Sequence, residues 1–353
     1  MAVLKPKNIY YMLSYAYRVL TQGEFKNLDS EEFDNIHNLF AEIIRLGISN
    51  QIKRGLIREY EEHTDEIKTI RGKICVKNSL RGLSGKSDTI TCSFDEYTLN
   101  TSMNQVLKTT MYYLIKSDEV SQTRKNKLKN LMKYFSDVEL INPHLIKWST
   151  FRYHRNNAAY KMLMNLCYLI LSGMILSDTA GTHKLAEFID DQKMHALYEK
   201  FILEYYRREF PELKAAKKEI AWDLSDADEM MISLLPKMIT DITLTWENKA
   251  LIIDAKYYGH SVAESVHSDK KIYLSSNLYQ IQAYVKNMDK ERTGNVEGML
   301  LYAKTDDEAF NESSGVFGGN KISVRTLDLS GEWKDIDGKL KTIAKEFKES
   351  ASA

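Results

Sequence analysis

Cysteine is scarce in this chain: Cys75, Cys92 and Cys167 are the only three among 353 residues. An odd count without metal-type spacing excludes a disulfide framework and a thiolate zinc site, and reads as reduced cytosolic thiols. Long apolar runs are missing too. None approaches the roughly 20 residues needed to span a bilayer. The opening Met1-Ala-Val-Leu-Lys-Pro-Lys-Asn-Ile-Tyr-Tyr lacks the apolar core and cleavage site of a signal peptide. The expectation is a cytoplasmic protein without membrane contact, in which the sequons at Asn100 and Asn311 carry no meaning. The eight histidines are scattered without a His-x-x-x-His zinc pattern. A phosphate-cradling loop is absent as well. Gly85-Lys86-Ser87 resembles the end of one, but Leu80 stands where its first glycine should be, and a strand-like run follows instead of a helix.

Net charge is missing overall, with 49 Lys and Arg against 49 Asp and Glu. That argues against a general polyanion binder, although the charges are unevenly spread. From Ser102 to Lys161 there are eleven basic and four acidic residues, with Arg124, Lys125, Lys127, Lys129 and Lys133 crowded on one expected helix.

What is present is a chain long enough for two domains, with a normal apolar content of 43%. Helical spacing predicts helices near 8–20, from a cap at Asp29 or Ser30 to about 44, and at 102–117, 121–135 and 156–176. Short strands are expected at 56–60, 67–76 and 89–94, where the texture changes after Gly47. The second half alternates: a helix at 192–209, strands at 217–222, 237–246 and 249–255, a helix at 274–287 and a strand at 296–302. A polar loop from Thr305 to Gly319, a strand at 321–326 and a helix at 336–348 complete the chain. The expected class is α/β (α+β), a mixed sheet flanked by helices in the second half after a mixed helix and short-strand first half. The domain boundary is placed at 150, giving 1–150 and 151–353.

Two stretches carry chemistry: Met238-Ile-Thr-Asp241-Ile-Thr-Leu and Leu251-Ile-Ile-Asp254-Ala-Lys256-Tyr-Tyr. Along a strand Asp254 and Lys256 share a face and Ala255 points away. A turn at Trp246-Glu-Asn-Lys249 would fold the two runs into a hairpin and bring Asp241 beside Asp254. Two adjacent carboxylates repel unless a cation neutralises them, and hard oxygen ligands favour Mg²⁺ or Mn²⁺. Lys256 is then placed to orient a water or stabilise a pentacoordinate phosphate. Asp-x-Lys alone is common in a chain that is 28% charged, and a solvated hairpin with an ion pair is the plain alternative. The apolar run Ala250–Ile253 just before Asp254 argues for a buried strand end instead, where unpaired charge is costly. Glu199, in Leu197-Tyr-Glu-Lys-Phe201, and Gln280, in Asn277-Leu-Tyr-Gln280, are possible accessory residues. His195, one turn before Glu199, reads as a solvent-facing polar residue.

With these pieces placed, the chain resembles the McrC family, the nuclease subunits of McrBC modification-dependent restriction systems. The resemblance rests on Asn8-Ile-Tyr-Tyr-Met-Leu-Ser-Tyr-Ala-Tyr17, Arg54-Gly-Leu, Ile70-Arg-Gly-Lys-Ile74, Leu197-Tyr-Glu-Lys-Phe201, Leu234-Leu-Pro-Lys-Met-Ile-Thr-Asp-Ile-Thr243, Ile253-Asp-Ala-Lys-Tyr-Tyr258 and Asn277-Leu-Tyr-Gln280. It implies a PD-(D/E)xK nuclease fold in the second half, with Asp241, Asp254 and Lys256 catalytic and the two aspartates holding the metal. It also implies an N-terminal part that engages a McrB-like AAA+ GTPase ring and stimulates it, with GTP bound by that partner and double-stranded DNA as substrate. Arg71 and Lys73, on an expected hairpin tip, are the candidate partner contacts. Threonine, not proline, precedes Asp241, a departure from the superfamily's name. A non-cleaving regulatory adaptor on the same fold is the alternative from another functional class.

Overall fold

The computed structural model describes residues 5–17, 20, 25, 28, 33–82, 89–154, 157–179, 191–257, 262–265, 268–304 and 312–351. Its helices are α1 (Pro6–Ala16), α2 (Ile36–Arg54), α3 (Val76–Gly82), α4 (Ser102–Lys116), α5 (Gln122–Met132), α6 (Ala158–Thr179), α7 (Asp191–Glu209), α8 (Glu229–Leu234), α9 (Ser275–Met288) and α10 (Trp333–Ala351). Its strands are β1 (Glu59–Ile67), β2 (Lys73–Ile74), β3 (Ile90–Thr98), β4 (Glu219–Ile220), β5 (Met238–Ile239), β6 (Ile242–Trp246), β7 (Lys249–Tyr257), β8 (Val262–Ser265), β9 (Ser268–Tyr273), β10 (Val296–Lys304), β11 (Ser313–Phe317) and β12 (Asn320–Asp328). None of the described helices is long and apolar enough to cross a membrane.

The chain forms two compact units, 40–185 and a second built from 1–39 with 186–353. This differs from the expected division at 150. Helix α6 packs on α4, which draws it into the first unit, and α1 packs on α7, which draws the N-terminus into the second. The aromatic residues of α1 and α7 make that second contact: the Tyr15 ring lies 5.2 Å from Tyr205 and 5.8 Å from Phe201.

The 40–185 unit carries a three-stranded antiparallel sheet in the order β1-β3-β2. Here 67–76 is not the continuous strand expected from its apolar residues. Only Lys73 and Ile74 pair with β3, and α3 begins at Val76. Because β3 lies between β1 and β2, the Arg71-Gly72-Lys73 segment is a crossing connection and not a hairpin tip. Helix α2 also runs past Gly47, where a break was expected. A Cβ there would come within 2.4 Å of the Leu163 side chain, so this glycine permits close packing on α6 and does not end the helix. The Gly85-Lys86-Ser87 segment, Arg155 and the expected cap at Asp29 or Ser30 lie outside the described residues.

The other unit is built on a five-stranded mixed sheet in the order β11-β12-β10-β7-β6, with β12, β10 and β7 parallel and both edge strands antiparallel. Residues 313–317, expected within a loop, form its edge strand β11. Residues Leu251 to Tyr257 of β7 are all buried, as expected of a central strand covered on both faces. One face meets α9: Ile252 clusters with Ile281, Val285, Leu300 and Val324. The opposite face meets α7, where the Tyr257 and Tyr198 rings lie 6.2 Å apart. Helix α10 buries Ile336, Leu340, Ile343, Ala344 and Phe347 on one stripe at helical spacing.

Candidate active site at the end of the central strand

The site lies where β6 stops and β7 continues. The hairpin turn at Glu247-Asn248 sets the register Trp246↔Lys249 through Ile242↔Ile253, so Asp241 falls next to Asp254. The expected strand 237–246 is not continuous. It is interrupted at Thr240-Asp241, and the second side of the interruption is the segment 216–220. Backbone bonds join Ala216 to Thr243 and Lys218 to Thr240. Three steps from Thr240 to Thr243 therefore oppose two from Ala216 to Lys218, which is a β-bulge with Asp241 and Ile242 facing Lys217. Bulges re-aim side chains beside functional sites.

Thr240 holds the bulge closed. Its N–H donates to the Lys218 carbonyl at 3.0 Å, and its hydroxyl accepts from the Lys218 N–H at 3.0 Å and meets the Thr243 hydroxyl at 2.9 Å. Proline has no N–H and could not make the first of these bonds, which gives the Thr-Asp sequence here a structural reason.

Asp241 then takes over the ladder that β6 leaves unfinished. Its Oδ2 accepts from the Ala255 N–H at 3.0 Å. One residue on each side of Ala255 stand the charged pair. The Lys256 Nζ lies 2.8 Å from Asp254 Oδ2 and donates to Gln280 Oε1 at 2.9 Å, while Gln280 Nε2 donates to the Tyr284 hydroxyl at 3.0 Å. Asp254 is 1% exposed and Lys256 6%, so this is a buried ion pair that must offset a large desolvation cost. Among the described residues, Lys256 and Asp241 offset the burial of the Asp254 oxygens through side-chain contacts.

The electrostatics report a site short of positive charge. Burial, then the neighbouring charges of Asp254 and Glu199, push the Asp241 carboxyl up to about 7. Burial also raises Asp254, against the lowering effect of Lys256. Burial and the nearby Lys256 charge lower His195, which is hydrogen bonded to the Ala255 backbone. Asp241 and His195 thus both bond the backbone of Ala255.

These features fit a hard divalent cation. Two adjacent carboxylates, one of them Asp254 with its oxygens buried, are a suitable donor set, and Mg²⁺ keeps several waters and is commonly bound by one or two protein carboxylates plus phosphate. Among the described residues no group of three or more His, Cys, Asp or Glu side chains is placed to hold a metal, so Asp241 and Asp254 would supply the protein ligands.

Of the residues singled out in the sequence, Asp241, Asp254, Lys256 and Gln280 come together. Glu199 lies close enough for its charge to act on Asp241, but its carboxylate is paired with Lys217. Arg71 and Lys73 belong to the other compact unit. The Arg71 guanidinium lies 4.5 Å over the Phe94 ring, and Lys73 is an exposed residue of β2. Sequence reasoning missed two neighbours. His195 was read as a solvent-facing polar residue, although its i,i+4 spacing from Glu199 puts both on one face of α7. Lys217 gave no signal, because its place opposite the bulge depends on long-range pairing.

The family described as McrBC 5-methylcytosine restriction system component matches residues 5–303, a span that includes Asp241, Asp254 and Lys256. The chain is 28% identical over 346 residues to the type IV methyl-directed restriction enzyme EcoKMcrBC of Escherichia coli (strain K12), covering 98% of each chain. Its fold matches, at a TM-score of 0.52 and 17% identity, a chain in the refined half-complex from the tetradecameric assembly of Thermococcus gammatolerans McrB AAA+ hexamers with bound McrC. That match covers 97% of this chain and 75% of the other. Sequence match and shared fold agree across both units, and the chain belongs to the McrBC 5-methylcytosine restriction system component family.

Proposed function

We propose that this chain is the DNA-cleaving subunit of its restriction system, a Mg²⁺-dependent (or Mn²⁺-dependent) endonuclease of PD-(D/E)xK type. It would act with a McrB-like AAA+ GTPase ring and stimulate that ring's GTP hydrolysis. The observation that carries the nuclease reading is the buried Asp254–Lys256 pair beside Asp241 at the end of a central strand. A bound divalent ion would supply charge neutralisation at the phosphate and a more acidic water. Asp241 and Asp254 would hold it. Lys256, fixed by Gln280, orients the attacking water and meets negative charge as it builds on the phosphate. The partner reading is supported by the assembly in which the Thermococcus McrC is bound to McrB AAA+ hexamers, and by the absence of a nucleotide loop from this sequence.

The test is a reconstitution with the AAA+ partner, a methylated duplex, GTP and Mg²⁺, leaving out one component at a time. Cleavage is expected only when all are present. Robust cutting by the isolated chain, or cutting undiminished in EDTA, would contradict the proposal.

A further inference from the structure

The site has a third carboxylate that is close but not in place. Glu199 is largely buried on α7, its side chain 16% exposed, and its charge acts on Asp241. Yet it does not join Asp241 and Asp254 in a ligand group. Its carboxylate is paired instead with the Nζ of Lys217, whose side chain is 47% exposed. Lys217 is fixed at that spot by the backbone: it is the single residue facing Asp241 and Ile242 across the bulge, between the bonded residues Ala216 and Lys218. A half-exposed ammonium at the mouth of an acidic site is also the group a phosphate would meet first.

Building on the metal-dependent nuclease reading, we propose that Lys217 acts as a latch that keeps Glu199 out of the metal site until a substrate phosphate takes the lysine. With Lys217 turned to phosphate, Glu199 becomes available as a third protein ligand, directly or through water. The ion is therefore held tightly only when DNA is in place, and DNA and metal each favour binding of the other. Both residues are positioning groups in the free protein. Their exchange of partners couples substrate arrival to completion of the site.

The experiment measures Mn²⁺ affinity of the full chain by electron paramagnetic resonance, without DNA and with a short duplex at low salt and at a concentration shown by anisotropy to saturate the chain. The variants are Lys217→Ala, Glu199→Gln and, as a site control, Asp254→Asn. The wild-type protein should bind Mn²⁺ more tightly when the duplex is added. Lys217→Ala should bind about tenfold tighter without DNA, a 1.4 kcal/mol change, and gain little more when DNA is added. Glu199→Gln should lose the DNA-dependent gain without any rise in basal affinity. Wild-type affinity in Lys217→Ala, or an intact DNA-dependent gain in Glu199→Gln, would overturn the latch while leaving the metal centre standing. Mn²⁺ binding that survives Asp254→Asn would overturn both. Lys217 is partly exposed, and its alanine variant removes no core packing.

Discussion

At the scale of single residues, Asp241 is held in a state that works against the fold of the metal-free protein. An acid whose folded pKa is raised is bound more tightly to its proton in the native state. Its stabilising contribution is complete below about pH 4, the ordinary aspartate value, and is lost as pH rises through about 7. In EDTA, the wild-type protein should therefore lose melting temperature between pH 5 and pH 8 relative to Asp241→Asn, which carries no such charge. The difference should shrink when Mg²⁺ is added, because the cation neutralises the same carboxylates. Melting curves for both proteins at the two pH values decide this; parallel curves would mean that Asp241 is not under charge strain. Gln280 supplies a second test at this scale. Its amide oxygen fixes the Lys256 ammonium, so Gln280→Leu should slow cleavage by about 10–100-fold, as loss of an outer partner commonly does. The melting temperature should stay near wild type. An unchanged rate would show that Lys256 is positioned without it.

At the scale of elements, the central strand and the helix beneath it are what hold the site rigid. Gly298 of β10 sits across from Ile252, and a Cβ there would come within 2.9 Å of both Ile281 and Val285 of α9. The glycine lets α9 approach the sheet closely enough for Gln280 to reach Lys256. Gly298→Val should cost about 1–3 kcal/mol of stability by overpacking and should reduce cleavage through displacement of α9. Denaturant unfolding measures the first effect, and a wild-type midpoint would refute it.

It was also at this scale that the sequence could be read and where reading stopped. The apolar run ending in Asp254-x-Lys256 is local, and so are the turn at Glu247-Asn248 and the spacing of α7 and α9. These were enough to bring Asp241, Asp254, Lys256 and Gln280 together. The bulge at Asp241 was hidden because it is made by a partner segment more than 20 residues away. Residues 67–76 were read as one strand because Ile74-Cys-Val76 has strand-like composition, and only pairing with β3 limits β2 to two residues. Gly47 looked like a stop because its packing against Leu163 is invisible locally.

At the scale of the whole molecule, charge is unevenly spread within the 40–185 unit. Strand β1 holds Glu59, Glu61, Glu62, Asp65 and Glu66, while α5 in the same unit holds Arg124, Lys125, Lys127 and Lys129. A net charge of zero gives the chain little general attraction for DNA, which fits the proposal that a partner brings the substrate. All candidate catalytic groups lie in the unit made of 1–39 and 186–353. If the other unit serves the partner, chemistry and GTPase stimulation should separate.

The most direct test of the nuclease assignment is to follow DNA cleavage and GTP turnover together in the reconstituted complex containing Asp254→Asn. Loss of this proposed metal ligand should reduce cleavage by at least roughly 10²–10³-fold, with GTP turnover close to the wild-type complex. Cleavage at the wild-type rate in that variant would contradict the assignment of the site.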